Sequence, residues 1–486
     1  MVGIVSYGGY IPRQRLSRMA VAKSMSWFAA GLMGAAKGER SMANWDEDCL
    51  TMAVAASRDA LVGFDKSKLD GVYLASTTLP FADRDNAGVV KTALNLRDNM
   101  TTADFASSLK VGPVALMTAL EIIKGGDKQN ILVTASDKRR TKAASNDEML
   151  FGDGSGSVVV GNDNVIAEYL GGYTTSIDFV DHYRGEDAKF DYNWEQRWVR
   201  DEGFSKIYPE VFKGVLDKTG IKIEDVTKMI FPCIFGRFQA KIAAAVGTKP
   251  EQLSDLLHAE VGECGAAHPL VMLAKELETA KPGDILMVAG LGQGAAALMF
   301  RVTDNIKNLP TRTSISGCLA NRKEVDNYTK WLQYNGLIDT EMGARGDTDT
   351  RTGLSSLFRN RKLILGFVGG KCKECGTPQI PPKRICVKPG CGAVDSLEEY
   401  EFADVPAKIV TFTADNLAAS LDPPAIYGMI QFEGGGRIMT DFTDCSLETV
   451  EVGVQMKMTF RKKYQDDKRG FTGYYWKATV DNTAGN

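Results

Sequence analysis

The sequence lacks an excess of charge of either sign. Its 486 residues include 58 lysines and arginines against 61 aspartates and glutamates, which gives a net charge of −3. Proteins that bind nucleic acids or anionic membrane surfaces usually carry clustered positive charge. The balance therefore argues against a nucleic acid or a membrane as the partner, while a local patch for a phosphorylated small molecule remains compatible with it.

Long apolar runs are also missing. The most apolar early stretch, Trp27 to Ala36, is far shorter than the roughly 20 apolar residues that a membrane-spanning helix needs. The N-terminal sequence MVGIVSYGGYIPRQR has no basic segment ahead of its apolar residues, such as a secretory signal carries. The sequence predicts a cytoplasmic protein.

Histidine is scarce, with three residues, and the nine cysteines do not form the pattern of a secreted disulfide-rich protein. Four of them fall in one short segment as a Cys-x2-Cys followed by a Cys-x4-Cys. Two such thiolate pairs close a tetrahedron, for which Zn²⁺ is the usual structural occupant. We expect one structural Zn²⁺ at Cys372, Cys375, Cys386 and Cys391.

The chain is long enough for two or three domains, and its character changes near residue 303. Residues 1–303 alternate short apolar runs, such as GVYLAST and NILVTASD, with helical spacing, as in GPVALMTALEIIKGG. This alternation is typical of α/β proteins. We predict a linker and helical segment at 304–360, a zinc ribbon at 361–400 and a small all-β barrel at 401–486.

The first 303 residues contain a faint internal repeat. FGDGSGSVVVG (151–161) and GLGQGAAALMF (290–300) each place alternating glycines before an apolar strand, and each follows another apolar strand. Neither matches a P-loop or a dinucleotide-binding fingerprint. Two copies of one half-domain explain the pair.

Four stretches of this region carry a resemblance to a known family: VGIVSYGGYIPRQRL, GERSMANWDEDCLTMAVAA, FGDGSGSVVVG and VAGLGQGAAALMF. They resemble 3-hydroxy-3-methylglutaryl-CoA synthase and its thiolase-fold relatives. The resemblance implies a thiolase-like α/β fold with two similar halves in five layers. It also implies a coenzyme A thioester as substrate and a homodimer or higher homo-oligomer.

The catalytic residues of that family have no counterpart here. The synthase forms an acyl-enzyme on a cysteine at the start of a buried helix, because a thiolate is both nucleophilic and a fair leaving group. In SSLKVGP, Leu109 takes the cysteine's place, or Ser108 after a shift of one residue. The glutamate's place is taken by Thr77 or a neighbour, the histidine's by Pro232, and that of the second thiolase cysteine by Val288. Ser108 is accordingly predicted to line the acyl pocket.

Other residues are candidates for acid–base chemistry and substrate binding. His268 lies at a loop-to-helix junction in VGECGAAHPLVMLA, where AHP resembles the His-Pro of thiolases, and Glu263 replaces an asparagine of condensing relatives. We predict that these two act as acid and base. Substrate contacts are predicted for His182 in DFVDHYRGED and for Asp83 and Arg84 in PFADRDNAG.

The C-terminal part has a resemblance of its own. CKECGTPQIPPKRIC and the barrel after it resemble the zinc-ribbon plus OB-fold proteins that accompany thiolase-like enzymes. In that family the module docks on, or is fused to, an acyl-CoA enzyme and helps to hold the thioester. An OB barrel also binds single-stranded nucleic acid in other proteins, which the charge balance disfavours here.

The absence of a cysteine nucleophile decides between the possible functions. An aldol or retro-aldol reaction of an acyl-CoA needs a base and hydrogen-bond donors for the enolate oxygen, and no covalent intermediate. We predict an acyl-CoA enzyme that makes or breaks a C–C bond by this route. The alternatives are a condensing or thiolytic acyltransferase that uses Cys233, Cys264 or a serine, and a non-catalytic acyl-CoA-binding scaffold.

Overall fold

The computed structural model describes residues 1–347 and 353–481. The chain divides into two compact units. The first unit comprises residues 1–43, 48–88 and 97–332, and the second comprises 44–47, 89–96 and the residues from 333 onward. The division after residue 332 falls within the segment predicted as linker and helix. Among the described residues, no helix has both the length and the apolar character needed to cross a membrane.

The elements before residue 335 alternate between strand and helix. The strands are β1 (Gly3–Tyr10), β2 (Gln14–Ser17), β3 (Glu39–Met42), β4 (Gly71–Ala75), β5 (Thr101–Phe105), β6 (Asn130–Lys138), β7 (Asp153–Gly161), β8 (Ala167–Ser176), β9 (His182–Tyr183), β10 (Tyr192–Asn193), β11 (Lys228–Ile230), β12 (Ile285–Leu291), β13 (Gly294–Val302) and β14 (Lys323–Val325). The helices are α1 (Arg18–Met25), α2 (Cys49–Ala60), α3 (Asn86–Ala93), α4 (Val111–Lys124), α5 (Asn146–Leu150), α6 (Gln196–Trp198), α7 (Ser205–Thr219), α8 (Gln239–Ala244), α9 (His268–Leu277), α10 (Ser314–Ala320) and α11 (Tyr328–Tyr334).

Nine of these strands form one mixed sheet in the order β11-β12-β13-β8-β1-β7-β6-β4-β5. In one half, β4 and β6 are parallel and β7 is antiparallel to β6. In the other half, β11 and β12 are parallel and β13 is antiparallel to β12. The two Gly-rich stretches of the internal repeat thus lie at equivalent places, at the starts of β7 and β13.

The helices form layers on both halves of this sheet. The apolar faces of α4 and α9 share one core with residues of β6, β7, β12 and β13, so these two helices lie between the halves. On the outer faces, α2 packs on β1, β6 and β7, and α7 packs on β8 and β13. Because strands covered on both faces lose contact with water, they read as near-continuous apolar runs. The arrangement gives five layers.

The second unit is built mostly from strands. It contains α12 (Leu354–Arg359), α13 (Arg361–Ile364), β15 (Val368–Cys372), β16 (Pro378–Gln379), β17 (Leu397–Glu401), β18 (Ala407–Asp415), β19 (Ala425–Phe432), β20 (Arg437–Asp441), β21 (Gln455–Asp466) and β22 (Phe471–Val480). A small sheet has the order β16-β15-β17 and a larger one the order β20-β19-β18-β21-β22. A bridge between Phe442 and Ala478 joins the two edges of the larger sheet, as in a closed barrel.

A buried ionic cluster stabilises this barrel. The Nζ atom of Lys477 lies 2.7 Å from a carboxylate oxygen of Asp46, and Arg461 Nη2 lies 3.1 Å from Glu47. All four side chains are at most 2% exposed. Residues 44–47 are therefore fixed within the second unit by charge pairs that water does not screen.

Candidate functional site

A small cavity in the first unit gathers ionisable side chains close to the start of α4. Its volume is about 60 Å³. Its apolar wall consists of Leu109, Phe151, Trp194, Val199, Phe204, Ile234, Phe235 and Leu291. Its polar wall consists of Arg139, Asp147, Asp181, His182, Asn193, Gln196 and Glu263. Glu263 and His182, two residues singled out in the sequence, thus line the same cavity.

Arg139 is the central cation of the polar wall. It directly follows β6, and its guanidinium lies 3.2 Å from Glu263 and 3.4 Å from Asp191, with all three side chains at most 5% exposed. The guanidinium also stacks 3.9 Å above the ring of Phe151. Burial disfavours the charged form, but the two carboxylates outweigh it and raise the pKa of Arg139. Arg139 therefore stays charged and holds Glu263 in an ion pair.

The hairpin β9–β10 places His182 at the cavity. His182 pairs directly with Asn193, and Tyr183 pairs with Tyr192. Directly opposed residues of an antiparallel pair point to the same face, so His182 and Asn193 share the cavity side. The two tyrosines occupy the other side, where they are 56% and 50% exposed. His182 Nδ1 lies 3.0 Å from Asp181 Oδ2.

Asp147 faces the same cavity from α5, and the amide of Asn193 donates a hydrogen bond to its carboxylate. Burial raises the pKa of Asp147, although Arg139 and the Asn193 amide partly oppose the shift. A raised pKa favours the protonated carboxyl group, which is the form that donates a proton. No local motif marks Asp147: Arg139 and Phe151 are near it in sequence, but His182, Asn193 and Glu263 come from distant segments.

The turn before α4 ends at this cavity without a nucleophile. The hydroxyl of Ser108 donates a hydrogen bond of 2.5 Å to the carbonyl oxygen of Gly292, so it joins the turn to the second Gly-rich stretch. A Cβ at Gly292 would lie 2.6 Å from the Leu109 nitrogen, which explains the glycine. Leu109, and not Ser108, lines the cavity.

Comparisons with known proteins agree with this architecture. The chain is 29% identical over 347 residues to hydroxymethylglutaryl-CoA synthase from Methanosarcina mazei, an alignment that covers 69% of this chain and 99% of the relative. It is 28% identical over 348 residues to the synthase from Pyrobaculum arsenaticum, which covers 69% of this chain and 98% of the relative.

Solved structures extend the comparison to the fold. A structure of HMG-CoA synthase complexed with CoA aligns with a TM-score of 0.60 and 18% identity, over 72% of this chain and 95% of that one. The 3-oxoacyl-[acyl-carrier-protein] synthase III from Aquifex aeolicus aligns with a TM-score of 0.54 and 21% identity, over 62% of this chain and all of that one. The first unit has a thiolase-like fold. The fold predicted from the sequence is confirmed.

The second unit also matches a known family. Residues 400–461 match the model of the ChsH2 C-terminal OB-fold domain. The matched stretch contains β18, β19 and β20 and half of β21, so the prediction of an OB-fold after the cysteine-bearing segment is confirmed. This match assigns no ligand to the barrel.

His268 lies outside the cavity of the thiolase-like unit. Its side chain is fully buried, with Nδ1 accepting a hydrogen bond from the Cys264 amide at 3.2 Å and Nε2 3.0 Å from the Leu256 carbonyl. Burial lowers the pKa of His268 to about 4. Both nitrogens are thus engaged by backbone groups, a geometry that favours a structural role over the predicted acid–base role.

The places of the family's other catalytic groups are occupied by structural residues. Thr77 donates to the buried carboxylate of Asp137, and the Pro232 carbonyl accepts from Tyr208. Val288 is fully buried in β12. Burial also raises the pKa of the Cys233 thiol to about 12 and that of Cys264 well above its ordinary range. Neither thiol has the thiolate character of a nucleophile.

Asp83 and Arg84, predicted to contact substrate, lie in the loop before α3. The Arg84 guanidinium stacks 4.5 Å above the Phe81 ring, and Asp83 is exposed. Neither residue lines the cavity. The same loop is held by Asp104, whose carboxylate accepts from the backbone and the side-chain amide of Asn86.

The four clustered cysteines converge in the small sheet of the second unit. The ligand atoms of Cys372, Cys375, Cys386 and Cys391 all lie within 4.8 Å of one another. The first pair in the sequence, Cys372 and Cys375, and the second pair, Cys386 and Cys391, form the two knuckles of the ribbon. The Sγ atoms of Cys375 and Cys386 lie 3.5 Å apart, and those of Cys372 and Cys391 lie 3.9 Å apart, so each distance joins one knuckle to the other. Four converging thiols fit a tetrahedral Zn²⁺ with sulfur ligands.

The second unit also contains a larger groove, of about 750 Å³. It lies between α12, α13 and the barrel, and its walls are mostly apolar and aromatic, with Asp441 and Lys463 as charged members. We centre the candidate site on the smaller cavity nevertheless. Buried ion pairs and histidine–carboxylate pairs are typical of reaction centres, whereas the ionisable residues that line the groove are Asp441, Lys463 and tyrosines, of which Tyr464 has a pKa raised by burial.

Proposed function

We propose that this protein is an acyl-CoA enzyme that makes or breaks a C–C bond without an acyl-enzyme intermediate. The similarity to hydroxymethylglutaryl-CoA synthases covers almost their whole length, which supports a CoA thioester as substrate. The small volume of the cavity suits a short acyl group next to Leu109 rather than a long chain. The finer statement, an aldol or retro-aldol route, rests on the residues of this chain.

One observation carries the proposal. Leu109 lines the cavity at the nucleophile turn, and the residues across from it are ionisable: Asp147, His182, Glu263 and Arg139. A leucine cannot form an acyl-enzyme, whereas a surrounding set of acids and bases can move protons. The start of the 14-residue helix α4 carries partial positive charge that favours a thioester enolate nearby.

In the cleavage direction, a base accepts the proton of a β-hydroxyl group and the Cα–Cβ bond breaks as the carbonyl forms. The electron pair moves into the thioester as an enolate, which an acid then protonates at Cα. Condensation is the reverse. Glu263 remains a predicted participant, and its ion pair with Arg139 suits it to orient the guanidinium.

Two alternatives have less support. An acyltransferase with an atypical nucleophile would need Cys233, Cys264 or a serine. The two thiols are fully buried and have raised pKa values, and the hydroxyl of Ser108 donates to the Gly292 carbonyl. A non-catalytic scaffold would bind acyl-CoA with no need for a buried arginine between two carboxylates. The three functions differ in products and in covalent labelling, which makes them separable.

The test is a screen of short-chain β-hydroxyacyl- and β-ketoacyl-CoAs, in which the products are separated by chromatography and identified by mass spectrometry. We expect C–C cleavage of at least one β-hydroxyacyl-CoA, with the intact protein keeping its unmodified mass. A protein that gains the mass of an acyl group supports the acyltransferase. Tight CoA binding with no turnover in either direction supports the scaffold.

The proposal includes a structural Zn²⁺ and a homodimer. Bound by the four cysteines, the ion would join the two knuckles and stabilise the fold of the ribbon. The strand β5 is an edge of the nine-stranded sheet with exposed and half-buried side chains, a surface suited to a second copy. Light scattering of the purified protein tests the homodimer.

A further inference from the structure

We propose that His182, oriented by Asp181, is the general base of the cavity and that Asp147 is its partner acid. The assignment rests on the proposed function and gives it two named catalytic residues. It is independent of the family's mechanism, because the family's cysteine, glutamate and histidine are replaced here by Leu109, Thr77 and Pro232.

The orientation of the imidazole is the first argument. Asp181 lies 3.0 Å from Nδ1, and a carboxylate accepts hydrogen bonds, so it places the ring proton on Nδ1. Among the residues that the structure describes, Nε2 of His182 has no hydrogen-bond partner. An imidazole held in this way presents a lone pair on Nε2, as in the His–Asp pairs of hydrolases.

The second argument is the chain of contacts that fixes the hairpin. Asp191 bridges two cations: Arg184 at 2.5 Å, within the hairpin, and Arg139 at 3.4 Å, in the polar wall. Arg184 also donates to the carbonyl of Thr77. Asp191 is thus a positioning residue, because it ties β9 and β10 to the body of the unit and keeps His182 at the cavity.

The third argument separates the remaining groups by role. Glu263 and Asp191 are both paired with Arg139, so their carboxylate oxygens are engaged. Asp147 differs, because burial raises its pKa and its partner is the neutral amide of Asn193. The charged groups that face His182 are therefore Asp181 from its own hairpin, Asp147 from α5, and the Arg139–Glu263 pair.

These roles balance the reaction. In cleavage, Nε2 of His182 takes the β-hydroxyl proton as the Cα–Cβ bond breaks, and the bonding electrons become the enolate of the shortened thioester. The carboxyl group of Asp147 then gives its proton to Cα. The imidazolium returns the first proton to Asp147 or to water, and both groups regain their starting states.

The first experiment compares variants in the cleavage assay, using a β-hydroxyacyl-CoA that the wild-type protein cleaves. We expect His182→Gln to lower kcat about a hundredfold or more with little change in KM. Asp181→Asn should lower kcat at least about tenfold, because an amide no longer fixes the tautomer. Glu186→Gln, at the exposed tip of the same hairpin, is the matched control and should keep full activity.

Two readouts distinguish catalysis from a structural role. The acidic limb of the pH profile of kcat should disappear in His182→Gln, and added imidazole should restore part of the activity of His182→Ala. A merely structural histidine would give neither result. The assignment is overturned if His182→Gln keeps its kcat and pH profile in a wild-type background that cleaves the substrate.

A second experiment needs no variant. The chain has three histidines; His268 is fully buried and Nε2 of His258 is inaccessible, so diethyl pyrocarbonate should modify His182 first. We expect loss of activity in proportion to labelling at His182, and protection by the CoA ester. Full activity after complete labelling of His182 overturns the assignment of His182 as the base and leaves the proposed function standing. A wild-type protein that cleaves no CoA ester overturns the proposed function, and the assignment with it.

Discussion

The guanidinium of Arg139 lies 3.2 Å from the carboxylate of Glu263, and both side chains are at most 4% exposed. Asp191 is the second anion on Arg139 and also pairs with Arg184, whereas Glu263 pairs with Arg139, in a place that is nearly closed to water. Such a cluster is costly to break, since the partner left behind is a buried, unpaired charge. The cluster joins the end of β6, the hairpin and the loop before α9.

We predict that Arg139→Gln lowers the free energy of unfolding by about 3–5 kcal/mol, because the buried Glu263 loses its paired cation, while Asp191 keeps Arg184. Denaturant titration measures the change. Arg301→Gln is the matched control, since Arg301 lies 3.9 Å from Glu168 at a surface site and should cost at most about 1 kcal/mol. Equal costs for the two variants would contradict the prediction.

A second prediction concerns the fully buried Glu148. Burial raises the pKa of Glu148 to about 7. The Tyr328 hydroxyl, the Ala144 amide and Arg40 favour the carboxylate and partly oppose this shift. The folded state therefore binds a proton that the unfolded state has already released. The contribution of Glu148 to the free energy of unfolding is fully present below the unfolded pKa of 4.5 and is lost as the pH rises towards 7, by at most about 3 kcal/mol.

The variant Glu148→Gln should remove this dependence. It stays neutral at every pH and can keep a hydrogen bond with Tyr328, so its stability should be flat between pH 4.5 and 7, apart from what other groups contribute. Thermal unfolding at several pH values, wild type against variant, measures the difference. An identical slope for both proteins would show that Glu148 ionises with the same pKa in the folded and unfolded states.

The fold could be predicted from the sequence because its signals are local. Short stretches of sequence are enough to recognise each of them: the Gly-rich stretches at the starts of β7 and β13, the apolar strands and the paired cysteines. The site could be predicted only in part. Glu263 and His182 are predicted from the sequence and lie in one cavity, whereas the pairing of Arg139 with Asp191 and Glu263 joins segments far apart in the chain, and no local pattern marks Asp147.

His268 illustrates the limit of local reading. A His-Pro at a loop-to-helix junction looks the same in sequence whether its ring faces a pocket or the interior. The structure places it in the interior, where the Cys264 amide and the Leu256 carbonyl occupy both nitrogens. Whether a ring is exposed depends on the packing of α9 between the two halves of the sheet, which no short motif encodes.

The third prediction is one Zn²⁺ per chain. Elemental analysis of protein purified without chelators should find close to one equivalent, and Cys372→Ser should lower both the zinc content and the stability of the second unit, since metal binding and folding are coupled. Cys445→Ser, outside the cluster, is the control. Well under one equivalent in protein purified with zinc present throughout would contradict the prediction.

The fourth prediction is that Ser108→Ala keeps most of the activity. The hydroxyl donates to the Gly292 carbonyl and does not line the cavity, so its loss removes one hydrogen bond of about 1 kcal/mol. We expect a loss of about tenfold or less in kcat/KM. A variant that folds as the wild type does and is inactive would identify Ser108 as the nucleophile.

The last prediction restores the missing nucleophile. Leu109 lines the cavity at the turn where a thiol would meet a thioester, next to the positive end of α4, which lowers a thiol pKa. We expect Leu109→Cys to gain the mass of an acetyl group when incubated with acetyl-CoA, whereas the wild-type protein gains none. Ser108→Cys is the matched comparison, because its side chain points to Gly292. If Ser108→Cys is acylated and Leu109→Cys is not, the position of the nucleophile lies one residue earlier. The thioester carbonyl would then bind outside the cavity that Leu109 lines.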